Sequence, residues 1–558
     1  TSWETAAHVV QDAADAASRG DTIYVGAGEY NQTIRIPDTT DHLSIIGMGM
    51  DSTFIWRNVV GEYIVYSHST GADDIFIKGI HFEARCVCIV GGLYTDLINV
   101  ENCKFTGDGQ HGGAIGSGVY GTSFDVKNCI FEDIIGITTP FSCDIPFVQV
   151  RNCLFNSSPY TDIWVCGHKV IVENNISINP HYHFFEWDAI PGMSIDTLIF
   201  TNNQTYGGKV MYYRYIHSWD QINNNTSFIS VSGNHRSYRL EYVDTLVAYN
   251  NSITGGGIGI EIFDSYLHSY VDLRYNNLKN DIQNINVIGD IGNIDTSIIY
   301  HEFPMFVGVS DYHLQAYSPL IDAGHPDILD INGTRSDIGC YGGPGGESYD
   351  YQDLPPLIPD SITYEVFADS ILFIWLMNEE FDFNRYVIYG DTISGFEPSV
   401  FNLIAEPETS FYKDENLEHS RSYYYRFASI DNQDNQSDYS DEIEATTTGI
   451  NDFINPNLPR ITSITSNYPN PFNSSTTIVY HVANLGPVPA QIEIEVYDIL
   501  GRKVRLLVNE RREVGIHKII WDGRDSKRNE LPSGVYFVRI SQWGISVMNK
   551  PRKIILLK

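Results

Sequence analysis

The chain has 558 residues, 42% of them hydrophobic, with 36 tyrosines, 46 glycines and a formal charge of −35. That excess of acid excludes nucleic acid as a partner, because a phosphate backbone is bound by a basic surface, and no apolar run approaches the ~18 residues that cross a bilayer. The tyrosine and glycine content favours strands and tight turns over helices, and the length calls for several domains.

In TSWETAAHVVQDAADAASRGD, at the start, small apolar residues recur at helical spacing and Gly20 sits where a helix would stop. A short amphipathic cap is predicted there, covering the end of a sheet. No secretory signal precedes Thr1, so a mature or trimmed form is expected. DTIYVGAGEYNQTIRI, LSIIGMG and IFIKGIHFE then read as short alternating strands separated by turns. After them the chain repeats itself: VENCKF, VKNCIF and VRNCLF are followed by weaker copies, with anchors at Asn102, Asn128, Asn152, Asn174, Asn202, Asn224, Asn250 and Asn276. The intervals run from 22 to 28 residues, the mark of a solenoid in which each repeat is one coil. Asn tolerates a left-handed turn, and its amides can bond from coil to coil as a ladder. The N-x-[ST] sequons here, such as Asn156, Asn175 and Asn203, are read as part of the same turn chemistry. Seven of the eight cysteines lie between Cys86 and Cys166, and Cys103, Cys129 and Cys153 share one slot of successive repeats. Without a CxxC pair, they read as a stack of small buried side chains rather than a metal site.

GDTIYVGAGEYNQTIRI and the Asn-anchored coils resemble the right-handed parallel β-helix proteins of the pectate lyase-like superfamily, over residues 1–346. The stretch SPLIDAGHPDILDINGTRSDIGCYGGPGG resembles the closing segment of many secreted bacterial β-helices, and Ile321, Ile338 and Tyr341 give it buried-looking positions. Beyond the linker YDYQDLPPLIP, residues 357–448 resemble a fibronectin type III domain, with Trp375, Tyr386, Tyr389, Leu417, Tyr423 and Tyr425 as core positions. Residues 461–558 carry YPNPF, YDILGRKV, WDGRD and LPSGVYFVRI, and closely resemble the immunoglobulin-like C-terminal sorting domain of the type IX secretion system. That resemblance implies export across the outer membrane of a Gram-negative bacterium to an extracellular or cell-surface location, with secretion and outer-membrane attachment machinery as partners. From Arg502 to the end the charge is +9, against −44 for everything before, which suits docking on an acidic or membrane-associated partner. The expected fold is all-β: a right-handed parallel β-helix solenoid followed by two β-sandwich domains.

The solenoid strands richest in outward charge are HYHFFEWDA, KVMYYRYIHSWD, HRSYRLEYVD and GIGIEIFDSY. Alternation puts Tyr212 with Arg214 and Arg239 with Glu241 on outward faces, and stacking is expected to align Glu186, Arg214, Arg239 or Glu241, and Glu261. Two chemistries suit such a column. Elimination from a uronate needs a base and a cation to neutralise the carboxylate, for which Arg214 and Arg239 are candidates. Hydrolysis needs two carboxylates, and Glu186 with Asp188 are the candidate pair. His183, Tyr212, Trp219, Glu241 and Glu261 are candidate ligand-binding positions. Alternating Glu and Arg on adjacent rungs also form ordinary cross-strand ion pairs that keep a sheet face soluble. The WxDH and RxPxxR of pectate lyases are absent, and of the NTD, DD, GHG and RIK set of polygalacturonase-like hydrolases only Gly167-His168-Lys169 faintly resembles a member, the third, so no catalytic residue is carried over from them. His181 and His183 lack a third metal ligand, and no cofactor is expected; Ca²⁺ is the one ion that acidic turns such as Asp73–Asp74 could hold. Two functions compete: a secreted protein that binds, and in one form cleaves, polysaccharide; and a non-catalytic adhesin, sheath or filament subunit that self-associates through its strand edges.

Overall fold

The computed structural model describes residues 7–557 apart from 38–39, 41, 58–62, 68–73, 85–87, 92–95, 110–112, 118–121, 139–144, 166, 189–195, 215–218, 230–235, 243–244, 256, 265–269, 281, 290, 449–461, 484–489, 500, 514 and 543–550. From Thr22 to Tyr300 the strands fall into three parallel sheets of 12, 12 and 11 strands, and each sheet takes every third strand in chain order. One coil therefore contributes one strand to each sheet. The helix Val10–Ala16 buries Val10 and Ala14 against the first coils, and Gly20 follows it at φ +80°. This is the predicted cap.

Period-two alternation drives the winding. Leu97–Glu101, Ser123–Lys127, Phe147–Arg151 and Lys169–Glu173 pair in unbroken register, which places Ile98, Phe124, Val148 and Val170 in one buried column. A second inward column is aromatic: Phe82, Phe105, Phe131 and Phe155 stack with ring centroids 5.3, 5.1 and 4.7 Å apart, close to the ~4.8 Å rise between coils.

The anchors line up as expected. Asn102, Asn128, Asn152, Asn174, Asn202, Asn224 and Asn250 all have φ between +53° and +58°, the left-handed turn that Asn accepts more readily than most residues. Asn276 is a correction: Tyr275, at φ +61°, takes the turn in that coil, and Asn276 belongs to the next slot. That slot holds the buried ladder, one residue beyond the anchors. It begins with Cys103, Cys129 and Cys153 and continues with Asn175, Asn203, Asn225, Asn251 and Asn276, all at most 2% exposed. Each of the first four amides donates to the Oδ1 of the next coil's Asn, at 3.0, 3.1, 2.8 and 2.8 Å. Nδ2 of each also reaches a main-chain carbonyl of the preceding coil, Val150, Val172, Phe200, Ile222 and Ala248 in turn. Cysteine and asparagine are thus alternatives in one slot. Cys88 and Cys340 are likewise buried, while Cys86, Cys143 and Cys166 lie outside the described residues.

The closing segment folds back along the anchor corner. Asn202 donates to the carbonyls of Cys340 and Gly342, Asn224 donates to Ser336, and Asn250 accepts from His325 N–H. Leu314, Leu320, Ala323 and Ile338 form its small core, with Ile321 half-buried beside them.

Two antiparallel sheets follow. Thr363–Val366, Ser370–Ile374 and Phe411–Glu415 make one; Leu403–Ala405, Phe383–Asp391, Ser422–Asp431 and Ile443–Thr446 make the other. Trp375 packs edge-on against Tyr386 at 5.1 Å, as predicted for this core, and Tyr425 and Phe427 close it. The last seven strands, from Ser463–Tyr468 to Arg552–Leu556, again form a three-stranded and a four-stranded antiparallel sheet, around a fully buried Trp521.

Candidate functional site

The third solenoid sheet carries the four charged strands, now placed as His183–Asp188, Lys209–Arg214, Arg236–Glu241 and Ile258–Asp264. Their inward residues Phe185, Met211, Tyr213, Tyr238, Leu240, Ile260 and Ile262 are at most 2% exposed, which fixes the faces of the residues between them. The register then sets the outward columns. Glu186 lies beside Tyr212, Tyr212 beside Arg239, and Arg239 beside Glu261. Two residues along the strands, the backbone positions of Asp188, Arg214 and Glu241 are register partners. The alignment expected from sequence is corrected accordingly: Tyr212, not Arg214, stands between Glu186 and Arg239, because strand Lys209–Arg214 pairs two residues out of that register. The side chains of Asp188, Arg214 and Trp219 lie outside the described residues.

His183, Glu186, Lys209, Tyr212, Arg236 and Arg239 line a cavity of about 290 Å³ on this face. Tyr212 is its floor. The His183 ring stacks on it at 5.7 Å and 24°, and the Arg239 guanidinium lies over it at 5.6 Å. Glu186 is held by Thr161, whose hydroxyl donates at 2.7 Å, and by His183 Nδ1 at 3.3 Å. Burial pushes the Glu186 carboxyl up, but the hydrogen bonds from His183 and Thr161 and the charges of His183 and Lys209 outweigh it, so the group is held below its ordinary value. It stays ionised at neutral pH.

Glu241 and Glu261 have another role. They are 5% and 1% exposed. Arg239 Nε donates to Glu241 at 2.7 Å, and its Nη1 lies 3.6 Å from Glu261. Arg236 is also ion-paired with Glu261, and Asn286 donates to Glu261 at 2.9 Å. These two carboxylates aim the guanidinium groups and neutralise part of their charge. For Lys209, no carboxylate among the described residues lies within ion-pair distance.

The arrangement offers an anion a half-open pocket with an ammonium, two guanidinium groups and an aromatic floor. A planar carboxylate or a sulfate suits such donors. Of the sequence candidates, the structure brings together Glu186, His183, Tyr212, Arg239, Glu241 and Glu261. Lys209, Arg236 and Thr161 were missed. Lys209 was legible as the rung partner of His183, but the pairing depends on loop lengths that alternation does not reveal. Elsewhere, Asp74 is engaged with His42 at 2.9 Å, while Asp73 lies outside the described residues.

Comparison with known proteins identifies one segment firmly. Residues 466–556 match the family model described as "Secretion system C-terminal sorting domain". The chain is therefore exported across the outer membrane to the cell surface or extracellular space. No curated protein matches the chain. Among solved structures, a fibronectin type III domain of human fibronectin type III domain containing protein 3 is similar at 17% identity, covering 18% of this chain and 94% of that one, with a TM-score of 0.15. A two-domain fibronectin type III segment of chicken tenascin is similar at 15% identity, covering 36% of this chain and 99% of that one, with a TM-score of 0.14.

Proposed function

We propose that this chain is a secreted or cell-surface protein whose solenoid, of the pectate lyase-like superfamily, binds an acidic polysaccharide along the third sheet. Three working domains are part of the reading: residues 1–346 hold the ligand, 357–448 act as a spacer, and 461–558 direct export. The observation that carries it is the pocket lined by Lys209, Arg236, Arg239 and Tyr212, with the Arg239 guanidinium over the tyrosine ring. A uronate carboxylate accepts hydrogen bonds from the guanidinium and ammonium groups. Coils ~4.8 Å apart let an extended glycan continue onto neighbouring rungs.

Binding is favoured over cleavage. Hydrolysis requires one carboxyl that keeps its proton and a second that acts as base or nucleophile. Glu186 is held ionised, and Glu241 and Glu261 are buried under arginines. An ionised Glu186 beside cations has the ingredients of a base for elimination, which keeps lyase activity as the outcome to look for.

The test is electrophoresis of the full chain through gels cast with a polyuronate or with a neutral glucan, paired with assay of the liquor for unsaturated and reducing-end products. Retardation by the polyuronate alone, without products, is expected. Unchanged mobility in the polyuronate gel overturns the reading.

A further inference from the structure

The segment leaving the solenoid meets the first sandwich at an end built from two inter-strand loops. One lies between Ser370–Ile374 and Phe383–Asp391, the other between Ser422–Asp431 and Ile443–Thr446. Asp353 of the linker, Asp382 of the first loop and Asp431 at the foot of the second meet there, with one carboxylate oxygen of each within 4.8 Å of the others. Asp382 and Asp431 are 5% and 1% exposed. Asn435 Nδ2 bridges Asp353 and Asp431, at 3.1 and 2.9 Å, so linker and loop are already drawn together.

A separate observation points to a missing positive group. Glu380, two residues before Asp382 and 8% exposed, has a fully buried Oε2 with no hydrogen-bond partner, while its other oxygen accepts Leu357 N–H at 2.6 Å. Buried acceptors left without a donor are costly. Three carboxylates, two of them buried, crowd like charges at this one point. Like charges crowded in this way call for a proton or a cation.

We propose that Asp353, Asp382 and Asp431, with Glu380 behind them, bind a Ca²⁺ ion that fastens the linker to the sandwich. An all-oxygen donor set excludes the thiolate and imidazole preferences of zinc and copper. Carboxylate oxygens up to 4.8 Å apart suit a cation with ligands at about 2.3–2.6 Å in adaptable geometry, better than the tighter octahedron of Mg²⁺. The consequence reaches the solenoid. Gln352 bridges to Gln315 of the closing segment and accepts Ala316 N–H at 2.8 Å, and Lys279 of a late coil pairs with Glu379 at 2.6 Å. A cation at Asp353 therefore fixes how the sandwich is carried on the rod, and the carboxylates take up their ligand once the protein reaches a calcium-containing exterior.

The test is calorimetric titration of chelator-stripped full-length protein with CaCl₂, comparing the unmodified chain with Asp382→Asn and Asp353→Asn, and hydrogen exchange across residues 352–357 with and without Ca²⁺. Asp353 is exposed, so its substitution leaves the sandwich core intact. One site that weakens at least tenfold in both variants, together with Ca²⁺-dependent protection of the linker in the unmodified chain alone, is expected. No binding, or binding and protection that both variants retain, overturns the proposal.

Discussion

Asp162 shows what a single buried carboxyl does inside a solenoid. Its Oδ2 accepts the Ser177 hydroxyl at 2.6 Å, but Oδ1 is buried without a partner. Burial pushes the carboxyl from 3.8 up to about 7, against the bond from Ser177. An acid whose folded value is raised contributes fully below its unfolded value, and that contribution is lost as pH rises toward the folded one, because the unfolded chain releases its proton first. The pH window is therefore 3.8 to about 7. Thermal unfolding should show a midpoint that falls between about pH 4 and pH 7, and Asp162→Asn should flatten that slope. A slope that Asp162→Asn leaves unchanged would assign the effect to other groups. Nothing in the sequence near Asp162 signals this role, because it arises from the coil that covers it.

At the scale of the element, the coil corner is the unit that makes the rod. Asn225 bonds Asn251, Asn203 and the carbonyls of Phe200 and Asn223. Replacing it by Ala leaves several buried groups unpaired, so Asn225→Ala should cost roughly 2–4 kcal/mol in chemical denaturation. A loss below about 0.5 kcal/mol, the range of an ordinary surface change, would mean that the ladder contributes little. The repeat of left-handed asparagines was legible because each turn leaves its own local signature. The ladder one residue later was legible only as a column of cysteines, and its continuation as Asn175 to Asn276 was hidden behind the more regular anchors. Strand faces could likewise be read from alternation, as with Met211 and Tyr213 inside and Tyr212 outside. Register could not. It is set by the corner each loop must close, and it moved Arg214 out of the column that holds Glu186 and Arg239.

For the whole molecule, the charge asymmetry and the C-terminal motifs were the most readable features, because sequence-specific contacts with an export machinery leave a linear imprint; residues 466–556 match the sorting-domain model. The first sandwich was legible through Trp375 and its tyrosines, which a small sandwich needs for a core. Least legible was the junction between Asp353 and Asp382, since linker, first loop and second loop are distant in sequence. Every part of the functional reading returns to the pocket over Tyr212, where charge, rather than shape alone, is held to select the ligand.

The most direct measurement is calorimetric titration of the full chain with a uronic-acid oligosaccharide and with the same oligosaccharide after its carboxyls are reduced to alcohols, repeated on Lys209→Ala. Binding of the acidic form, at least tenfold weaker for the reduced form and for Lys209→Ala, is the predicted result. Equal affinity for the two oligosaccharides, or no binding of either, would contradict it.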